Sequence, residues 1–224
     1  KYFDYIHIDP WKKYPSFDEG SKWTLDMIKF CFSKNPKIKF EVGTEEAIRK
    51  FEPADLEKLL NYLKKNLSKE AFLQIKYLVI QSGTSLSSNQ NTGKFDLRRL
   101  KQMVNVAQKN NLKSKEHNGD YIPEELIRLK MYNGLDSINI APEFGLIETQ
   151  TYLNQIKNRK RLFHLYWEIC YNSKKWVKWV GEDFDPIKQK ENLIKICGHY
   201  VLSNNQFIND IKNQFEDIDK LIKK

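Results

Sequence analysis

Five times between Tyr2 and Glu143 a short extended run ends in a polar cluster and gives way to an amphipathic helix, at intervals of roughly 30 residues. The extended runs are Tyr2–Asp9, Ile38–Glu45, Ile75–Gly83, the segment leading to His117, and Asp136–Glu143. Between them lie helix signals of a specific kind. Ser16 and Glu19 have capping-box spacing ahead of Trp23, Met27, Ile28 and Cys31. Pro53 precedes Leu56, Leu59, Leu60 and Leu63, and Asp96 can cap a helix carrying Leu97, Leu100, Met103, Val104 and Ala107. Pro123 opens another helix through Leu126 and Leu129. A strand that must return parallel to its predecessor needs a crossover of a dozen or more residues, and a helix supplies it. The pattern therefore predicts an α/β fold with a parallel sheet. Among its loops, Thr84 to Gly93 is rich in Ser, Asn and Gly. The chain contains neither Gly-x-Gly-x-x-Gly nor a Gly-Lys-Ser/Thr loop, which argues against dinucleotide and P-loop classes.

Beyond Thr151 the character changes. Residues 151–180 are aromatic, with Tyr152, Phe163, Trp167, Trp176 and Trp179, and two helices are expected, Ile187–Cys197 and Asn205–Lys223. The division expected is residues 1–150 as the α/β part and 151–224 as a helical C-terminal extension whose tryptophans pack on it or on a partner. The 224 residues carry a formal charge of +9, but the lysines alternate with Glu along helices, so they read as solvated faces and not as a nucleic-acid surface. No run approaches the roughly 18 apolar residues of a membrane span, and no leader pattern is present, so a cytoplasmic protein without a membrane partner is expected. Cys31, Cys170 and Cys197 are isolated among apolar neighbours and read as buried thiols, and His164 and His199 as core or helix-end residues.

The chemistry is expected at Ser114–Tyr121, where Glu116, His117 and Asp120 crowd a strand end that breaks at Asn118-Gly119. If each polar cluster closes a parallel strand, all of them converge on one rim. Asp9 is a candidate acid/base because the period-two alternation points it inward. The alternative for Asp9 and Glu45 is pairing with Lys12, Lys13 or Arg49; for His7, a hydrogen bond in the interior; for Asp120, capping the next helix; and for Tyr121, packing.

The strand ends read Ile-His-Ile-Asp9, Val-Gly-Thr-Glu45, Ile-Gln-Ser-Gly83, Glu-His117-x-x-Asp120-Tyr121 and Asn139-Ile-Ala-Pro142. This ordered series resembles the Z-subunit family of class II tagatose-bisphosphate aldolase over about residues 3–150. The resemblance implies a (β/α)8 TIM barrel of which this chain carries about five C-terminal strand-helix units, with the earlier strands upstream, since five strands cannot close such a barrel. It implies a metal-dependent aldolase or close relative acting on a ketose phosphate, or alternatively a non-catalytic companion subunit that stabilises a separate aldolase chain; the partner expected is such an aldolase subunit or a second copy in a homo-oligomer. The ion implied is Zn2+ or another divalent metal, with His117 as a ligand and Glu45 as a ligand or its supporting partner. Asp9 and Asp120 would carry protons. Gln81, Ser82, Gly83 and Asn139 would meet the substrate and its phosphate. Three departures mark a divergent branch. Lys115 stands where the family usually has an acid, Glu-Ala-Ile-Arg49 replaces a Pro- and Gly-rich loop, and Asn139 replaces a frequent Lys.

Overall fold

The computed structural model describes residues 3–87, 90–215 and 217–222. Tyr2 of the first expected strand, Ser88 and Asn89 of the expected loop and Lys223 of the last expected helix lie outside the described residues. The chain forms two compact units, one made of residues 1–86 and 91–139, the other of residues 87–90 and 140–224.

The first unit is built on five strands, β1 (Tyr5–Ile8), β2 (Lys39–Val42), β3 (Ile75–Ile80), β6 (Lys113–Glu116) and β7 (Ser137–Ile138). The two-residue strands β4 (Leu86–Ser87) and β5 (Gln90–Asn91) fall in the segment read as a loop. The five pair in chain order, β1-β2-β3-β6-β7, and every pairing is parallel. The crossovers carry α1 (Phe17–Lys34), α2 (Pro53–Asn66), α3 (Lys69–Phe72), α4 (Leu97–Lys109) and α5 (Glu124–Tyr132).

Alternation along the strands sorts the two faces. Ile6, Ile8, Phe40, Val42, Leu78 and Ile80 pack in one apolar core with Leu25 and Ile28 of α1, Leu56, Leu59, Leu60 and Leu63 of α2, and Leu100, Met103, Val104 and Ala107 of α4. The intervening positions carry Tyr5, His7, Glu41, Tyr77 and Lys115, which meet one another on the other face. The helices that supply this core therefore cover the same face of the sheet.

Helix starts follow their cap residues. Ser16 Oγ accepts from Glu19 N and donates to Glu19 Oε2, Pro53 is the first residue of α2, and the Asp96 carboxylate accepts from Arg99 N. Two helical stripes depart from expectation. Trp23 is not in the core; its ring stacks on Tyr14 at 4.6 Å, and α1 instead buries Gly20, Ser21, Thr24, Leu25 and Ile28. In α5, Leu129 is exposed and the one buried residue is Lys130, a rotation that follows from its ion pair described below.

The second unit is helical: α6 (Pro142–Ile156), α7 (Lys160–Ser173), α8 (Lys190–Cys197), α9 (Asn205–Asp210) and α10 (Ile218–Ile222). Its core gathers Tyr152, Tyr166, Trp167, Cys170, Leu193, Cys197 and Phe207. The helix expected over Asn205–Lys223 is broken. Asn204 caps α9 through its side chain, but α9 ends at Asp210 and a 3-10 turn, Lys212–Gln214, follows. Trp167 donates its indole N–H to Pro186 O at 3.0 Å and Trp176 to Tyr171 O at 3.1 Å, both inside this unit. Cys170 and Cys197 are buried free thiols, while Cys31 in the first unit is half-buried. Among the described residues no helix is long and apolar enough to cross a membrane.

Candidate metal and strand-end site

The period-two alternation of β6 divides neighbouring residues between the two faces. Ser114 and Glu116 turn toward the helices, while Lys115 and His117 turn the other way. His7 of β1 is the register partner of Glu41 of β2, so those two side chains are adjacent by construction. His117, one residue past β6, completes the group. His117 Nε2 contacts Glu41 Oε1, its ring lies 4.7 Å from that of His7, and Lys115 Nζ sits 2.6 Å from Glu41 Oε2.

Burial pushes the Glu41 carboxyl up, but the hydrogen bonds from His117 and Lys115, with the nearby His7 charge, outweigh it and bring it down to about 2. His7 is lowered by burial and by the charge of His117, against the pull of Glu41 and Asp9. Both shifts favour the unprotonated forms, which are the metal-binding forms of imidazole and carboxylate.

The donor atoms of His7, Glu41 and His117 all lie within 4.8 Å of one another, and among the described residues this is the His/Cys/Asp/Glu cluster that could hold a metal ion. Two imidazoles and a carboxylate suit a divalent transition metal with open positions. A cation bound at about 2.1 Å to three donors needs them roughly 3–3.5 Å apart, so the His117–Glu41 pair, now in direct contact, would open to admit such an ion while the widest pair closes by about an ångström. The His7 ring is already oriented by a 3.2 Å contact from Nε2 to Gly43 O, the kind of support that metal-binding histidines use.

The other expected residues divide between this rim and the scaffold beneath it. Asp9 accepts from Thr44 Oγ1 at 2.9 Å and from Trp11 N, and burial raises its carboxyl against the Thr44 bond. Glu45 accepts from Asn118 Nδ2 at 2.6 Å. A chain of contacts thus links the ends of β1, β2 and β6: Asp9 to Thr44, and Glu45 to the residue after His117. The carboxylate in the donor cluster is Glu41 and not Glu45, which sits beside the His117 turn. No described ion pair joins Asp9 or Glu45 to Lys12, Lys13 or Arg49.

The turn itself is held from below. Thr84 Oγ1 donates to His117 O, and Asn91 Nδ2 donates to both Asn118 O and Asp120 O. Asn118 and Tyr121 adopt left-handed φ of 57° and 58°, and Asp120 is buried between them.

Gln81 and Ser82 belong to the scaffold. The Gln81 amide accepts from Phe51 N and donates to Thr44 O and Arg49 O, which ties down the loop after β2. Ser82 gives both its N–H and its hydroxyl to Glu116 Oε1 at 2.6 and 2.8 Å, and Lys130 Nζ reaches Glu116 Oε2 at 2.6 Å and Ser82 Oγ at 2.8 Å. Glu116 and Lys130 have no exposed side-chain surface. Asn139 continues the β6–β7 ladder through its backbone, donating to Glu116 O and accepting from Gly119 N.

Gly83 has φ +96°, and a Cβ there would lie 1.9 Å from Lys94 O, so only glycine fits. It lines a cavity of about 370 Å3 between the loops after β2 and β3, where Lys50, Lys94 and Arg99 face Glu46 and Asp96.

Two residues of the donor cluster were not read as ligands from sequence. His7 was assigned an interior hydrogen bond, which it makes, and Glu41 was passed over inside a strand. The available signal was that Glu41 shares the parity of Lys39 and Gly43, and so the face opposite Phe40 and Val42.

No family model matches the chain, and no curated protein matches it. Solved structures do. A probable tagatose 6-phosphate kinase from Sinorhizobium meliloti 1021 is similar with a TM-score of 0.61 at 14% identity, covering 98% of this chain and 66% of its own. The fructuronate-tagaturonate epimerase UxaE from Cohnella laeviribosi gives 0.58 at 12% identity, over 92% of this chain and 46% of its own. The YdjI aldolase from Escherichia coli K12 gives 0.52 at 12% identity, over 95% and 63%. The likeness is one of fold, and the chain spans less than two thirds of the length of each of these proteins.

Proposed function

We propose that this chain is the C-terminal part of a metal-dependent, class II aldolase-type (β/α)8 barrel enzyme acting on a ketose phosphate of the tagatose-bisphosphate type, with His7, Glu41 and His117 as the metal ligands. The observation that carries the reading is the convergence of those three donors, from two parallel strands and the turn that follows a third, within 4.8 Å. The fold supports it: strands that pair in chain order, with the core-forming helices on one face, are what one arc of such a barrel would present, whereas a doubly wound sheet reverses its order. In this division the first unit is the barrel part and the helical unit an extension. The three similar structures are described as a kinase, an epimerase and an aldolase of tagatose-like sugars or unnamed substrates, which is consistent with ketose chemistry.

His7, Glu41 and His117 would hold a divalent ion, zinc being the best match to this donor set, and the ion would supply a Lewis acid to polarise the substrate carbonyl. The chain's own groups do the rest. Lys115, 2.6 Å from Glu41 Oε2, helps to keep that carboxylate ionised. Asp9, half-buried with its carboxyl raised, is suited to exchange a proton with the neighbouring hydroxyl. Glu45 and Asn118 hold the His117 turn, and Asp120 stands beside it as the second proton-carrying candidate. The phosphate would be met at the cavity beside Gly83, where Lys50, Lys94 and Arg99 supply the positive charge; Asn139 stands at the next strand end.

The test is cleavage of a panel of ketose mono- and bisphosphates by the chain in its full natural context. Cleavage that chelator abolishes, that zinc restores and that Asp9→Asn reduces by roughly 100-fold or more is expected. Cleavage indifferent to chelator, or none by the metal-loaded protein on any of the panel, would contradict the reading.

A further inference from the structure

A second pocket, of about 500 Å3, opens at the opposite end of the strands. It lies where β3 begins and just before β6, and it shares no lining residue with the metal cluster, whose Glu41 is level with Tyr77 of β3. Its volume falls in the range of small-molecule sites.

The floor is apolar. Ile75 and Leu112 are buried beneath it, Phe72 is half-buried, and Leu73 is 56% exposed, a large side chain left in contact with water. The rim is cationic: Lys64 from α2, Lys69 from α3 and Lys76 from β3 all line the pocket, with Asn110 and Asn111 between them, and no carboxylate is among the lining residues. Glu70, next to Lys69 in sequence and within reach of its charge, is bonded to its own backbone and to Ser68 and does not line the pocket.

Ordinary structural duties explain this rim only in part. Lys64 complements the C-terminal end of α2, and Lys76 Nζ donates one hydrogen to Leu73 O at 2.6 Å. Those duties do not require three lysines around one apolar hollow whose lining holds no carboxylate. A ligand with an apolar body and one anionic head would pair with that charge and cover Leu73.

We propose that this pocket binds an amphipathic anion, with an aliphatic or aromatic body on the Phe72–Leu73–Leu112 floor and a carboxylate or phosphate head among Lys64, Lys69 and Lys76. The site is separate from the metal cluster and goes beyond the aldolase reading; chelator should leave its binding unchanged.

Titration calorimetry below the micellar range tests it with decanoate, decanol and decyltrimethylammonium. Decanoate is expected to bind one to one and about tenfold or more tighter than the cation of equal length, given three like charges at the rim. Leu73→Asp should weaken decanoate by about tenfold or more, since it places a charge on the apolar floor. Lys69→Glu, at an exposed position that keeps the fold, should reduce the preference for the anion. Equal affinity for all three probes, or decanoate binding unchanged in both variants, would overturn the proposal. So would reversible self-association of the wild type, without bound decanoate, that Leu73→Asp abolishes; a second copy would then be the occupant.

Discussion

Two charged clusters lie back to back on β6, and neighbouring residues feed them. Glu116 turns toward the helices and meets Lys130 and Ser82; Lys115 and His117 turn the other way and meet Glu41 and His7. In the first cluster the polar groups answer one another. Each Glu116 oxygen has a donor, Ser82 uses its N–H, hydroxyl and carbonyl, and the Lys130 ammonium also lies 4.8 Å from the Phe95 ring. The second cluster gathers two imidazoles around one carboxylate, more ligating nitrogen than the carboxylate's own hydrogen bonding needs. Complete internal pairing marks a cluster that holds the fold, and converging lone-pair donors mark one that can hold something else.

The largest expected effect breaks the first cluster. Lys130→Met leaves the Glu116 carboxylate buried without its cation and should cost about 3–5 kcal/mol in chemical denaturation. Lys130→Met with Glu116→Leu should recover much of that loss, because an apolar pair of similar volume removes the stranded charge. No recovery in the double variant would mean that the ion pair contributes something other than charge balance.

The second cluster should respond to pH. Glu41 has its folded value depressed to about 2 from an ordinary 4.5, so its contribution is fully present above pH 4.5 and is lost as pH falls toward 2. The stability difference between wild type and Glu41→Gln should therefore be on the order of 2–3 kcal/mol near neutrality and shrink across that window, read from urea midpoints. A difference that stays constant from pH 5 to pH 2 would contradict the pairing with His117 and Lys115.

A smaller effect lies between the clusters. Asn91→Ala removes the amide that holds both Asn118 O and Asp120 O and should cost about 1–2 kcal/mol. It should also weaken divalent metal binding about tenfold, since the turn it supports carries His117. Weakened stability with unchanged metal affinity would separate the turn from the site.

The comparison also shows what a one-dimensional reading can reach. Parallel order, helix caps and the gathering of strand ends were legible because they follow from local rules: alternation, capping spacing, crossover length. His117 and Glu45 stood out beside turns. Glu41 did not, because a charged residue within an alternating strand looks like any solvent-facing position until its neighbours in space are known. Lys130 was invisible for the same reason. Helical periodicity assigned the buried stripe of α5 to leucines, and only the carboxylate of Glu116 across the layer explains why a lysine turns inward. Gln81 and Ser82 were read as substrate contacts from their motif, whereas the structure directs their polar atoms into the scaffold.

Metal stoichiometry across four proteins tests the central claim most directly: wild type, His117→Ala, Glu41→Ala and Glu45→Gln, each loaded with zinc, dialysed and measured by atomic emission. One equivalent in the wild type and in Glu45→Gln, with loss in His117→Ala and Glu41→Ala, is the predicted result. Retention of zinc in Glu41→Ala with loss in Glu45→Gln, or no zinc in the folded wild type, would contradict the assignment of His7, Glu41 and His117 as the metal site.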